Sequence, residues 1–153
     1  MTIEDKIFDD KFYFDILRVI ILLSLLLPVF FGASKGLKMA GEGVCTSSLI
    51  KRNLTSSIAP CAFITTPIMF SLIGFFTIKD VEIRSYNQGC RLLAGATMLG
   101  IPGGFTAYYA GEIAKYSIVA VVQQKKFTFQ FFVTFIFLEI IPIFGMILFF
   151  VIK

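Results

Sequence analysis

One carboxylate inside an otherwise apolar run limits this chain more than any other feature. Residues 127–152 read FTFQFFVTFIFLEIIPIFGMILFFVI, with Glu139 as the only charged side chain. At about 1.5 Å per residue, a helix of this length crosses a hydrocarbon core of about 30 Å. Twelve residues of the run precede Glu139 and thirteen follow it, so the acid falls near the bilayer midplane. An ionised carboxylate costs roughly 2.5–3.5 kcal/mol there, and such residues usually mark ion or substrate pathways. No Lys, Arg or His in the run offsets that cost.

The rest of the sequence agrees with a membrane solvent. Hydrophobic residues make up 57% of the chain, 19 of its 153 residues are Phe, and the mean hydropathy is +0.86. A soluble core of this size has too little interior for that much apolar surface. The apolar runs are long rather than ten-residue alternating strands, so the expected fold is an all-α membrane protein. Cys45, Cys61 and Cys90 form no CxxC pair and the chain has no histidine, so no metal site, Cys/His nucleophile or cofactor is expected. The leader before the first apolar run carries Glu4, Asp5, Asp9, Asp10 and Asp15 against Lys6 and Lys11. An acidic leader and a long apolar segment do not fit a cleaved signal peptide.

Four transmembrane helices are expected, over about 12–48, 54–78, 87–122 and 127–152. The organisation reads as a polar arm at 1–11, a first helical hairpin at 12–78, a polar loop at 79–86 and a second hairpin at 87–153. In the first helix Gly32, Gly36, Gly41 and Gly43 recur on one face. Small residues at such spacing let membrane helices approach closely, and Pro28 is a candidate kink. In the second, Thr65, Thr66 and Ser71 are placed to return hydrogen bonds to groups freed by Pro60 and Pro67. The turns KRN at 51–53 and QQKK at 123–126 carry two bases each and no acid, whereas 79–85 is balanced. The positive-inside tendency puts the turns near Lys51 and Lys125 in the cytosol and both termini in the lumen. The N-glycosylation pattern at Asn53 then faces the cytosol and is expected to be unmodified. Glu42 and Glu112 read as helix-end acids paired with Lys38 and Lys115 at helical spacing. GIPGG at 100–104 is a weak echo of a phosphate loop inside a membrane helix.

The two hairpins are copies of one another. Ala40-Gly41-Glu42 recurs 70 positions later as Ala110-Gly111-Glu112, and Pro67-Ile68 recurs 75 positions later as Pro142-Ile143. By the second spacing Glu139 corresponds to Ile64, so only one hairpin keeps the acid.

These residues resemble the proteolipid, or c subunit, of the eukaryotic V-type proton-pumping ATPase, as a divergent member. The glycine face of GASKGLKMAGEG, Lys51 and Leu54 after it, Gln123-Gln124 before an aromatic Phe127, and the stretch from Phe137 through Glu139 to Gly145 carry the resemblance. Pro142 and Phe144 depart from it, standing where the family has Gly and Tyr. The resemblance implies a homo-oligomeric rotor ring, possible related proteolipids within it, helices one and three inside, and helices two and four outside. Glu139 then carries protons at mid-membrane, neutral while it faces lipid. A stationary membrane subunit supplies a cationic residue for release, central stalk subunits meet the cytosolic turns, and other subunits hydrolyse ATP, so the chain is not catalytic alone. A vacuolar or other acidic endomembrane is the implied location. Two other readings stay open: a sodium-carrying ring subunit, with Thr65, Thr66 and Tyr109 as candidate oxygen ligands, and a non-transporting four-helix scaffold.

Overall fold

Long apolar runs separated by short polar turns satisfy their backbone groups as helices, and four form among the described residues. The computed structural model describes residues 3–50, 55–83, 85–123 and 128–153. Helix α1 spans Ile3–Ile50, α2 Thr55–Ile78, α3 Tyr86–Gln123 and α4 Thr128–Ile152. The turn at 51–53, Leu54, residues 124–127 and Arg84 lie outside the described residues. Helix α1 begins earlier than expected and runs back through the acidic segment to Ile3.

Three helices hold segments long and apolar enough to cross a membrane: Phe12–Ile50, Ala59–Ile78 and Phe132–Ile152. Helix α3, expected as the fourth, falls short on composition rather than length. Its 38 residues include many Gly and Ala, and Arg91, Glu112 and Lys115 lower its hydropathy further. α1, α2 and α4 all pack on it, while Met98, Ile101, Phe105, Tyr109 and Tyr116 leave one face open.

The bundle is built on the seam between α1 and α3, its most extensive contact. The two helices run parallel, and their backbones meet where side chains are missing. A Cβ on Gly32 would collide with the backbone of Gly104, one on Gly36 with the Ala107 carbonyl, and one on Gly111 with the backbone of Gly36. A Cβ on Gly43 would lie 2.7 Å from the Lys115 carbonyl oxygen. Gly41, the fourth glycine of the face, differs: nothing lies within 4 Å of its Cβ position. GIPGG belongs to the same seam, with Gly100 against Ser24 and Leu25, Gly103 against Val29, and Gly104 against Pro28.

Helices α2 and α4 flank the seam. α2 touches the other three helices, α4 touches α2 and α3, and among the described residues α1 and α4 do not approach. Two apolar clusters fill the interior. One gathers Ala33, Ala40, Ile64, Ala107, Ala110 and Phe135; the other gathers Ile21, Leu25, Leu92, Leu99 and Phe149. Pro67 and Pro142, the repeated prolines, are both fully buried. Outside, α4 shows Phe137, Ile141, Phe144 and Val151, and α1 shows Leu23, Leu27 and Phe31. That apolar exterior matches a lipid solvent.

Hydroxyls in α2 satisfy the backbone only in part. Thr65 and Thr66 both donate to the Ala62 carbonyl, at 2.8 and 3.4 Å, rather than to the Phe63 carbonyl that Pro67 leaves without its helical donor. The Ser71 hydroxyl, expected to help, is buried with no partner.

Gly36→Ala is expected to lower the thermal unfolding midpoint of detergent-dispersed single chains, by an overpacking cost of about 1–3 kcal/mol. Gly41→Ala should leave it unchanged or raise it slightly, since Ala gains up to about 1 kcal/mol of helix propensity where space is free. Circular dichroism melts of both variants check the difference.

Candidate functional site

Helix α4 carries Phe135 into one apolar cluster and Phe149 into the other, and Glu139 stands between these two anchors. Its near neighbours Ile136, Phe137, Ile140 and Ile141 are exposed, while Glu139 is half-buried. Its carboxyl turns towards α2, where the Thr66 hydroxyl stands as its hydrogen-bonding neighbour. The second oxygen, Oε2, is fully buried without a partner. An acid held this way is neither exposed nor fully satisfied. Breaking or remaking its single polar contact costs little beyond the cost of burial already incurred.

Aromatic contacts fix α2 beside α4 just above the acid. Phe63 lies 5.3 Å from Phe135 and 6.2 Å from Phe132, ring centre to ring centre. Ile64, the counterpart of Glu139 in the first hairpin, is wholly buried against the Gly36 position. The repeat therefore sets a hydrocarbon beside the seam in one hairpin and a carboxyl on the flank between α4 and α2 in the other.

Of the three oxygens named for a sodium site, Thr66 stands beside the acid, and both Thr65 and Thr66 donate to the Ala62 carbonyl. Tyr109 lines an apolar groove of about 330 Å³ between α1 and α3, with Pro28, Phe31 and Tyr108. The sequence reading missed Thr106. This side chain is 2% exposed and its hydroxyl has no partner. Its counterpart at the 70-residue spacing is Gly36, which touches Ile64, the counterpart of Glu139. The repeat thus held a signal for it that composition did not. Among the described residues no group of three His, Cys, Asp or Glu side chains comes together.

The charged ends differ from the sequence reading. Glu42 pairs across the seam with Lys115 of α3, Nζ to Oε2 at 2.8 Å, instead of with Lys38 along its own helix. The backbone contact at Gly43 brings Lys115 within reach. No described residue pairs with Glu112. At the opposite end Arg91 Nε donates to the Ile152 carbonyl at 3.2 Å and Lys153 Nζ to the Thr77 carbonyl at 2.9 Å. These cations cap the C-terminal ends of α4 and α2, where the helix dipole is negative.

Glu139→Leu distinguishes a carboxyl kept for stability from one kept for another purpose. Removing a half-satisfied buried acid is expected to raise the unfolding midpoint of the detergent-dispersed chain, since an unpaired buried oxygen costs about 1–3 kcal/mol. A drop of comparable size would make the carboxyl a structural hydrogen-bonding group.

Comparison of the chain with curated proteins gave no match. Residues 93–152 match the family model of the ATP synthase C subunit, a segment that takes in most of α3, all of α4 and Glu139. Over that second hairpin, the chain is similar to the C subunit of ATP synthase.

Proposed function

We propose that this chain is an ion-carrying subunit of the membrane rotor ring of a V-type ATPase, with Glu139 as the proton carrier. The carrying observation is a single carboxylate midway along α4, lipid-side neighbours around it and one oxygen buried without a partner. It lies inside the segment similar to the ATP synthase C subunit. A fully paired acid would hold its proton or its counter-charge permanently. One with a single hydroxyl neighbour exchanges between neutral and charged forms when a cation on a stationary subunit passes, and the pairing energy of that cation replaces the hydration that lipid denies it.

The architecture supports the same reading. Helices α1 and α3, close-packed through glycine, form the inner layer, and α2 and α4 the outer layer that brings Glu139 towards the ring's rim. Helix α3 crosses the membrane without being strongly apolar because small residues fill its packed faces and its open face carries Met98, Ile101, Phe105 and Tyr109. The V-type form is supported by two hairpins in one chain with one acid between them. Protons bind at the carboxyl, the ring turns through lipid with the acid neutral, and release follows beside the stationary cation. ATP hydrolysis belongs to partner subunits, the turns at 51–53 and 123–126 meet the central stalk in the cytosol, and an acidic endomembrane such as the vacuole is the location.

Carbodiimide labelling of the purified membrane assembly, mapped by mass spectrometry at several pH values, tests this. The reagent attacks the neutral acid, so Glu139 should label faster as pH falls, with loss of proton pumping in step. Protection by sodium would reassign the ion to sodium. If Glu139 stays unlabelled while surface acids react, the non-transporting scaffold becomes the better reading.

A further inference from the structure

We infer that the open groove between α1 and α3 seats an acyl chain of an anionic phospholipid, with Lys35 holding its phosphate. The inference rests on the membrane reading alone. It stands whichever ion Glu139 carries and whether or not copies close into a ring.

The close approach of α1 to α3 leaves a furrow along one side of the seam. Gly32 and Gly104 form its floor, where backbone meets backbone. Phe31 makes one wall and Ile101, Phe105 and Tyr109 the other, around the same 330 Å³ of almost wholly apolar space. Phe31 is 65% exposed and Phe105 60%, so among the described residues nothing covers the furrow. Its α3 wall, from Ile101 to Tyr109, runs about 12 Å along the helix. Two parallel helices give it the shape of a slot, and a slot of this volume admits a hydrocarbon chain.

Lys35 decides the class of lipid. It stands one turn beyond Phe31 on α1, and its Nζ lies over that ring, 5.6 Å from the centre. A residue of the groove wall thus carries a cation at the groove's mouth. Among the described residues no carboxylate pairs with Lys35. Glu42 is held by Lys115 at 2.8 Å, and Glu112 stands farther towards the same rim. Lys79 gives the contrast: it also lies 5.6 Å over a ring, that of Phe76, but Asp80 is 3.5 Å away. Lysines inside membrane-spanning segments pair with another group or face a cavity, and a ring face offsets only part of the lost hydration. A lipid phosphate supplies the missing charge, whereas a zwitterionic headgroup brings a cation of its own. Lys35 lies seven residues before Glu42, about 10 Å along the axis. Its stem can lift the ammonium towards headgroup depth while the chain below follows Phe31 and Phe105 to the level of Ile101.

The test uses the whole complex in bilayers with two probes that share one diazirine-bearing acyl chain, phosphatidylserine and phosphatidylcholine. After illumination the labelled segments are mapped by mass spectrometry. Phosphatidylserine should label the segments of Phe31 and Phe105 about fivefold more than phosphatidylcholine, the ratio equivalent to about 1 kcal/mol for one lysine beside an anionic lipid. Both probes should label the exposed α4 face at Phe137 and Phe144 equally. Lys35→Gln should abolish the preference, Lys35→Arg should keep it, and Lys79→Gln should leave it unchanged. Ile101→Trp narrows the slot and should lower labelling of Phe31 by both probes. Equal labelling of the groove by the two lipids would overturn the proposal, since the groove would then take any hydrocarbon. Labelling of α4 with none in the groove would overturn it as well and reveal a protein surface lying there. Native gels of the same samples separate this result from the ring: multimers without the preference remove the lipid site alone, and monomers that keep it remove the ring alone.

Discussion

Backbone-to-backbone contact between α1 and α3 is the constraint on which the rest of this molecule depends. In lipid, helices gain nothing from hiding hydrocarbon from water, so they associate through close packing and polar contacts. Missing Cβ atoms at Gly32, Gly36, Gly104 and Gly111 allow that closeness. With the two inner helices so near, little interior is left for bulky groups. The interior layers are alanine-rich near one end, and the large side chains are pushed outward onto α2, α4 and the lipid face. The phenylalanine content of the chain follows from that division: the seam takes the small residues and the exterior takes the large ones.

The same division explains how an acid is tolerated in α4. An acid in the glycine seam would have no room, and one on the outer face would have no partner. Glu139 occupies the flank between α4 and α2, where Thr66 is near and the aromatic contacts of Phe63 hold the two helices together. In the first hairpin the matching place is filled by Ile64, which is fully buried. By the repeat spacing the two hairpins thus hold matching positions of opposite polarity, Ile64 and Glu139.

Most of the architecture was legible in the residues because hydropathy and glycine spacing are local signals. The helix limits of α2, α3 and α4 fall within a residue of those read from apolar runs and turns. Glu139 stood out because its neighbours in sequence are all apolar. What escaped was set by contacts between helices. The partner of Glu42 lies 73 positions away, and intrahelical spacing favoured Lys38 instead. Gly41 shares the spacing of its neighbours yet points away from the seam, since a four-residue step followed by a five drifts around the helix. The buried hydroxyl of Thr106 carries no pattern of its own and is visible only through its repeat partner, Gly36. Helix α3 read as a span because it is long, whereas its modest hydropathy reflects the glycines and alanines that pack against the other three helices.

The polar ties at the two ends of the bundle act together as a gauge. On α3, Arg91 and Lys115 are 24 positions apart, about 36 Å along the helix, slightly more than the hydrocarbon thickness of an ordinary bilayer. Arg91 is tied to the end of α4 and Lys115 to α1, so each rim is fastened by a cation that has to remain near water. Lys35 and Lys38 lie within two turns of the Glu42 rim, and their apolar stems can carry the charges towards it. The acid between the rims is thereby fixed in depth by its own chain, independently of how the surrounding lipid rises or thins. A thicker membrane would have to submerge one fastening, and a thinner one would have to bend to meet the helix. Either way the depth of Glu139 below each surface is a property of the protein.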